Sequence, residues 1–158
     1  MSMERLLQTI RAFDGLLELA PTEGSASPEI AWGDHFFYYA PDGEVPAREQ
    51  PYATIVTKNY PGDTMSDLDH PGRWRLNIRV GTEAFAELTG EHPRTAVASW
   101  DYAAADRVLP HPVYRAQGWV SIVNPAGSTH ALAARLLRQA HEAAQRRAER
   151  RSPPTPRG

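Results

Sequence analysis

Pro110-His111-Pro112 holds an imidazole between two prolines. Proline fixes its own φ and restricts the residue before it, so His111 belongs to a stiff loop. Tyr114 follows it in the same segment, and Asp106 precedes it. A carboxylate that orients a histidine beside a phenol can serve general acid–base chemistry. In that reading His111 moves the proton, Asp106 orients the ring, and Tyr114 or Arg79 steadies a developing anion. The same histidine could equally satisfy a buried carbonyl and seat its loop on a sheet.

A second set lies on one predicted strand. Trp74–Val80 alternates, with Trp74, Leu76, Ile78 and Val80 expected to face the core and Arg75, Asn77 and Arg79 to face away. If that outward face is open, it is a polar platform on which guanidinium forks can hold an anion. If it is solvated, it is ordinary outer surface. Lys58 and Tyr60 follow a strand over Tyr52–Lys58 and could border the same platform. Trp119 belongs to an aromatic set, with Trp32, Phe36, Phe37, Tyr38, Tyr39 and Trp74, that reads as packing or as a stacking surface. Asp63, Asp67, Asp69 and His70 crowd one loop, but they match no calcium-loop spacing and suit turns and caps equally.

The elements that must position these residues are readable in outline. Ser2 caps a helix to about Asp14, with Leu6, Leu7, Ile10 and Phe13 on one face. Leu16–Ala20 is a short strand. Glu29–Trp32 and His35–Ala40, joined by Gly33-Asp34, predict a tight hairpin. Thr82 caps a short helix over Glu83–Thr89, closed by Gly90. Trp119–Asn124 is a strand. Ser128 or Thr129 caps a long helix whose apolar face is Leu132, Leu136, Leu137, Ala140 and Ala144. The expected fold is α+β: a mainly antiparallel sheet with N- and C-terminal helices on one face. Residues 1–150 form the single domain, and 151–158 a disordered tail.

Composition narrows the function classes. The chain has 158 residues, 41% apolar and 23% charged, enough for one globular core. With no cysteine it can carry no disulfide, thiolate metal site or cysteine nucleophile. No GxxxxGK[ST], GxGxxG, HExxH or GxSxG motif is present, which removes the simple NTPase, dinucleotide, zinc-protease and α/β-hydrolase readings. No apolar run approaches the roughly 18 residues of a membrane span, and no secretory signal opens the chain. A cytoplasmic location is expected, with no cofactor, no metal and no membrane partner. The net charge of −2 divides unevenly. Seven arginines against Glu142 and Glu149 make residues 135–158 +5, leaving −7 on the rest. Such a basic end can touch nucleic acid or complement a helix dipole. Lys58 is the single lysine among seventeen basic residues, a bias that fits a high-GC genome.

The strings WGDHFFYYAPDG, QPYATIVTKNYPGD, RLNIRVG and PHPVYRAQGWVSIVNP resemble a domain family of unknown function from high-GC bacteria. More distantly, the layout resembles the MmcQ/YjbR-like proteins. The resemblance implies a compact α+β fold of the frataxin-like CyaY type and, from that fold, a suggested DNA-binding role. It implies no catalytic residue. A DNA binder's surface is expected to be basic, and the −7 body departs from that. Two functions therefore stand at this point: a non-catalytic binding module that recognises a small molecule, a protein or nucleic acid through its sheet face, and a small cofactor-free enzyme using His111.

Overall fold

The first helix follows from its cap and its spacing. The Ser2 hydroxyl accepts the Arg5 N–H, α1 runs over Met3–Arg11, and Leu6, Leu7 and Ile10 are buried on one side. Gly15 then turns the chain with φ +78°. A Cβ there would meet the Tyr39 ring at 2.6 Å, so the turn requires glycine. The strands follow: β1 (Leu16–Leu19), β2 (His35–Tyr39), β3 (Ala53–Val56), β4 (Arg75–Arg79), β5 (Leu109–Pro110) and β6 (Trp119–Val123). Two further helices are α2 (Thr82–Thr89) and α3 (His130–Arg151). This computed structural model describes residues 2–151. The tail expected over 151–158 begins with Arg151, which ends α3; its other residues lie outside the described ones.

The protein is α+β. Its six strands form one antiparallel sheet in the order β1-β2-β3-β4-β6-β5. Leu76 and Ile78 of β4 point into the core with Phe37, Ile55, Val120 and Ile122, where Leu6, Leu7 and Ile10 of α1 and Leu136, Leu137 and Ala140 of α3 cover them. Burying each of the leucine, isoleucine, valine and phenylalanine side chains contributes about 1.5–3 kcal/mol. The opposite face follows from the period of two. Register places Phe36, Thr54, Asn77 and Ser121 in one row across β2, β3, β4 and β6, with Val56, Arg75 and Val123 in the next. No helix of the described residues is long and apolar enough to cross a membrane.

Two local expectations change. The Gly33-Asp34 hairpin does not form: Glu29–Ala31 is a 3₁₀ turn, and β2 pairs with β1 and β3 instead. The reason is Asp34. It is fully buried, and its carboxylate accepts the Thr57 N–H, the Thr57 hydroxyl, the Lys58 ammonium and the Tyr60 hydroxyl. That ties Asp34 to the end of β3 and leaves no strand partner for 29–32. For α2, Thr82 is the first helical residue rather than the cap; Gly81 holds the cap position, and Gly90 at φ 76° stops the helix as expected.

The entry to α3 is fixed at long range. Thr129 directly precedes His130, the first residue of the helix, and the turn that leads into it is held by Asp106, distant in sequence. The Asp106 carboxylate accepts the Ala126, Ser128 and Thr129 amides and the Thr129 hydroxyl, at 2.6–3.0 Å. The Thr129 hydroxyl and these amides outweigh the cost of partial burial and hold the Asp106 carboxyl well below the usual carboxylate range. A carboxylate on a helix N-terminus is favoured by the orphan N–H groups and the dipole together. Asp106→Ala should therefore lower stability by about 1–2 kcal/mol, with Asp106→Asn intermediate, in urea titrations followed by far-ultraviolet dichroism.

Candidate functional site

On the sheet face away from the helices, β4 carries a buried guanidinium. Arg75 is 1% exposed. Its Nε–H donates to Asn77 Oδ1 (2.7 Å), its Nη1 to Asp63 Oδ1 and Ser66 Oγ (2.9 Å each), and its Nη2 to Asp63 Oδ2 (2.5 Å). Asn77 passes the order on: its amide donates to Thr54 Oγ1, and its carbonyl also accepts the Ser121 hydroxyl. Burial alone would raise the Asp63 carboxyl, but the bonds and charge of Arg75 outweigh it and hold Asp63 below the usual range.

His111 closes one side of this floor and is 2% exposed. Its backbone N–H donates to the Trp119 carbonyl. Pro112 has no N–H, so the next two amides, Val113 and Tyr114, turn back and donate to His111 Nδ1 at 3.0 and 2.9 Å. Two donors on Nδ1 fix the tautomer: Nδ1 is bare and Nε2 carries the hydrogen. Arg75 Nη2 lies 3.3 Å from Nε2. Both atoms carry hydrogens, so neither accepts from the other. The alternative tautomer would gain that one long contact and oppose two shorter ones. Burial, reinforced by the Arg75 charge and only partly offset by Asp63, pushes the imidazole down to about 3, so His111 is neutral near pH 7.

The floor lies in a cleft of about 680 Å³. Phe36, Tyr60, Tyr114 and Trp119 line it beside the polar groups, and Gln50 and Gln117 also face it. The His111 ring sits 4.8 Å from the Tyr114 ring and 6.3 Å from that of Trp119, the latter edge-on. The size and mixture suit a small organic molecule: mostly apolar walls, with a few polar groups that converge.

The structure brings His111, Tyr114, Asn77, Tyr60 and Trp119 to this cleft. Asp106 is elsewhere. Bound to the turn that precedes α3, it has no bond to His111, and backbone amides rather than a carboxylate orient the ring. Arg79 shares the face of Arg75 but sits at the exposed end of β4, outside the cleft lining, where its charge is felt by Arg147. Lys58 does not line the cleft either; it donates to Asp34 and to the Trp32 carbonyl. Tyr60 does, with its hydroxyl turned to Asp34; burial and that carboxylate push its phenol up. The face over β4 is not a flat outer platform: Arg75 and Asn77 lie almost wholly buried in the floor of the cleft. Asp63 serves Arg75, Asp67 meets His70, and Asp69 accepts the Asn59 amide. No cluster of three or more potential metal ligands occurs among the described residues.

Residues 1–153 match the model of a family of unknown function, DUF6194. The chain belongs to DUF6194. No curated protein and no solved structure matches it. Membership in DUF6194 therefore carries no ligand or reaction with it, and the matched family gives no support to the MmcQ/YjbR likeness or to a high-GC origin.

Sequence reasoning missed Asp63 and Ser66 as partners of Arg75, and Thr54 and Ser121 as partners of Asn77. One signal was available. Thr54 and Ser121 are single polar residues of otherwise apolar strands, on the same sheet face as Asn77. Only register aligns them.

The loop behind His111 is braced separately. Arg115 donates to Glu91 (2.9 Å) and to the Pro93 carbonyl, and its guanidinium lies over the Phe85 ring. The Ala98 amide first, then Arg115, Trp100 and Val97, hold the Glu91 carboxyl down at about 2 against the cost of burial. Gly118 has φ 82°, and a Cβ there would crowd the Gly81 backbone at 3.0 Å, so this close passage favours glycine.

Two outcomes are expected of the DUF6194 chain. Asp63→Ala leaves a buried, uncompensated guanidinium and should cost about 3 kcal/mol, much of it recovered when Arg75→Met is added, in chemical denaturation of the single and double variants. His111 has a folded pKa far below its unfolded value of about 6.5. Its contribution is present above pH 6.5 and is lost as the unfolded chain takes up a proton in acid. In His111→Asn the Asn oxygen can accept the same two amides. Stability measured from pH 7 to 4 should then fall less steeply in the variant, by up to one proton, or ~1.4 kcal/mol per pH unit.

Proposed function

We propose that this protein is a non-catalytic binding module, and that the cleft over β4 and β6 takes a small molecule. The observation that carries the reading is the donor pair at its floor. The Arg75 Nη2 hydrogen and the His111 Nε2 hydrogen sit on atoms 3.3 Å apart, neither of which can accept from the other. A single acceptor atom over the pair would take both bonds. Bonds of that kind to a charged donor, shielded from water, are worth about 1.5–3 kcal/mol. The Thr54 hydroxyl, which accepts from Asn77, has its own proton to offer nearby.

The binding reading is favoured over a cofactor-free enzyme. General acid–base catalysis needs a group that gains and loses a proton near the working pH. His111 spends Nδ1 on two amides and stays neutral, so it suits hydrogen-bond donation better than proton transfer. Nucleic acid is the weaker partner. α3 carries most of the basic end, and it packs on the core face of the sheet, away from the cleft; Arg147 and Arg151 are also paired with Glu49.

A fragment screen read by amide and indole NMR signals tests this. Ligands should move the Val113 and Tyr114 amides and the Trp119 indole together, and raise the melting temperature. His111→Asn should weaken them about tenfold, one hydrogen bond's worth. Shifts confined to α3 arginines on adding duplex DNA, fading with salt, would favour the nucleic-acid alternative instead.

A further inference from the structure

The charge balance of the cleft says which chemical class it selects. Among the described residues that line it, Arg75 is the one permanent cation and Asp63 the one acid. Two bonds, at 2.9 and 2.5 Å, already join them. His111 adds a hydrogen-bond donor without a charge, because the Val113 and Tyr114 amides fix its tautomer. The floor therefore offers directed N–H groups with no surplus positive charge. A phosphate or other dianion placed there would bring two charges into a partly desolvated site that holds no unpaired cation, which costs more than the bonds return. A carbonyl oxygen meets the opposite case. It is an acceptor with two lone pairs, and the two donors, 3.3 Å apart, can both reach it. The walls choose what the carbonyl is attached to. Phe36, Tyr60, Tyr114 and Trp119 are four rings around one floor, and such walls favour a flat ring by stacking and edge contacts.

Resting on the binding reading above, we infer that the cleft selects planar ring compounds bearing a carbonyl acceptor, as an amide or a monocarboxylate, against the same rings bearing a phosphate dianion. The carbonyl oxygen lies over Arg75 and His111, with the ring between the aromatic walls.

Three matched probes test it: 2-naphthamide, 2-naphthoate and 2-naphthyl phosphate. They are titrated into the full chain at pH 8, where the phosphate is a dianion, and followed by Trp119 indole and Val113 and Tyr114 amide signals. The amide and the carboxylate are expected to bind at least tenfold tighter than the phosphate, and to lose about tenfold in His111→Asn while the phosphate changes little. Tighter binding of the phosphate than of both others overturns the selectivity and leaves the cleft as a binding site. Equal affinity of all three also overturns it, since the ring alone would then be recognised. Silence of all three probes at millimolar concentration overturns the binding reading itself, and the selectivity with it. Should His111→Asn fail to fold, Thr54→Val and the wild-type order of the three affinities still decide.

Discussion

The arrangement depends on a buried guanidinium. Arg75 cannot lose its proton, and at 1% exposure it cannot rely on water, so nearly every N–H must find an acceptor in the chain. That requirement pulls the loop bearing Asp63 and Ser66 down onto the sheet and fixes Asn77, which in turn fixes Thr54 and Ser121. One hydrogen on Nη2 is left directed toward His111. The cleft is thus shaped by the needs of one side chain. Its walls are the segments recruited to satisfy or surround that side chain, and its floor is the network itself. A satisfied polar network of this kind is rigid, since moving any member strands another.

Much of the fold was legible because local rules decided it. The alternation of Trp74, Leu76 and Ile78 against Arg75 and Asn77 placed β4 correctly, since a one-residue slip would send every one of these side chains to the other face. Helices α1 and α3 were legible from their apolar spacing, and Gly90 from the left-handed stop it permits. What failed was decided at long range. Gly33-Asp34 carries the local signature of a hairpin, but Asp34 bonds to Thr57, Lys58 and Tyr60, more than twenty positions away, and those bonds outweigh the turn preference. Asp106 stands near His111 in sequence, yet its carboxylate accepts the amides of Ala126 and Ser128, twenty and more positions on.

The candidate site was legible in part for the same reason. His111 drew notice through its prolines, and the prolines do matter: the absent N–H of Pro112 is why the amides of Val113 and Tyr114 are the ones that reach Nδ1. What one sequence does not carry is register. Arg75, Asn77 and Arg79 look equivalent along β4, yet Arg75 and Asn77 face covered rows, and Arg79 sits opposite Trp119 at the strand's exposed end. Equivalent alternation therefore concealed two different environments.

A second histidine clarifies what is special about the first. His141 is also buried and also held below its usual pKa, by burial first, with Arg138 adding to the effect. It packs against Phe13, Tyr39 and Tyr52 in the core. Its Nε2–H donates to the Asp14 carbonyl at 2.7 Å, and its Nδ1 accepts the Tyr52 hydroxyl at 3.0 Å. Both ring nitrogens are used, which is what a structural imidazole requires when it is buried. His111 meets that requirement on one side only. Its Nδ1 is doubly occupied, while its Nε2–H faces a guanidinium hydrogen at the floor of a cleft lined by rings. Burial and a neutral state are common to the two residues. The difference lies in the donor that the chain does not itself satisfy, and it is this difference, not the presence of a histidine, that singles out the cleft.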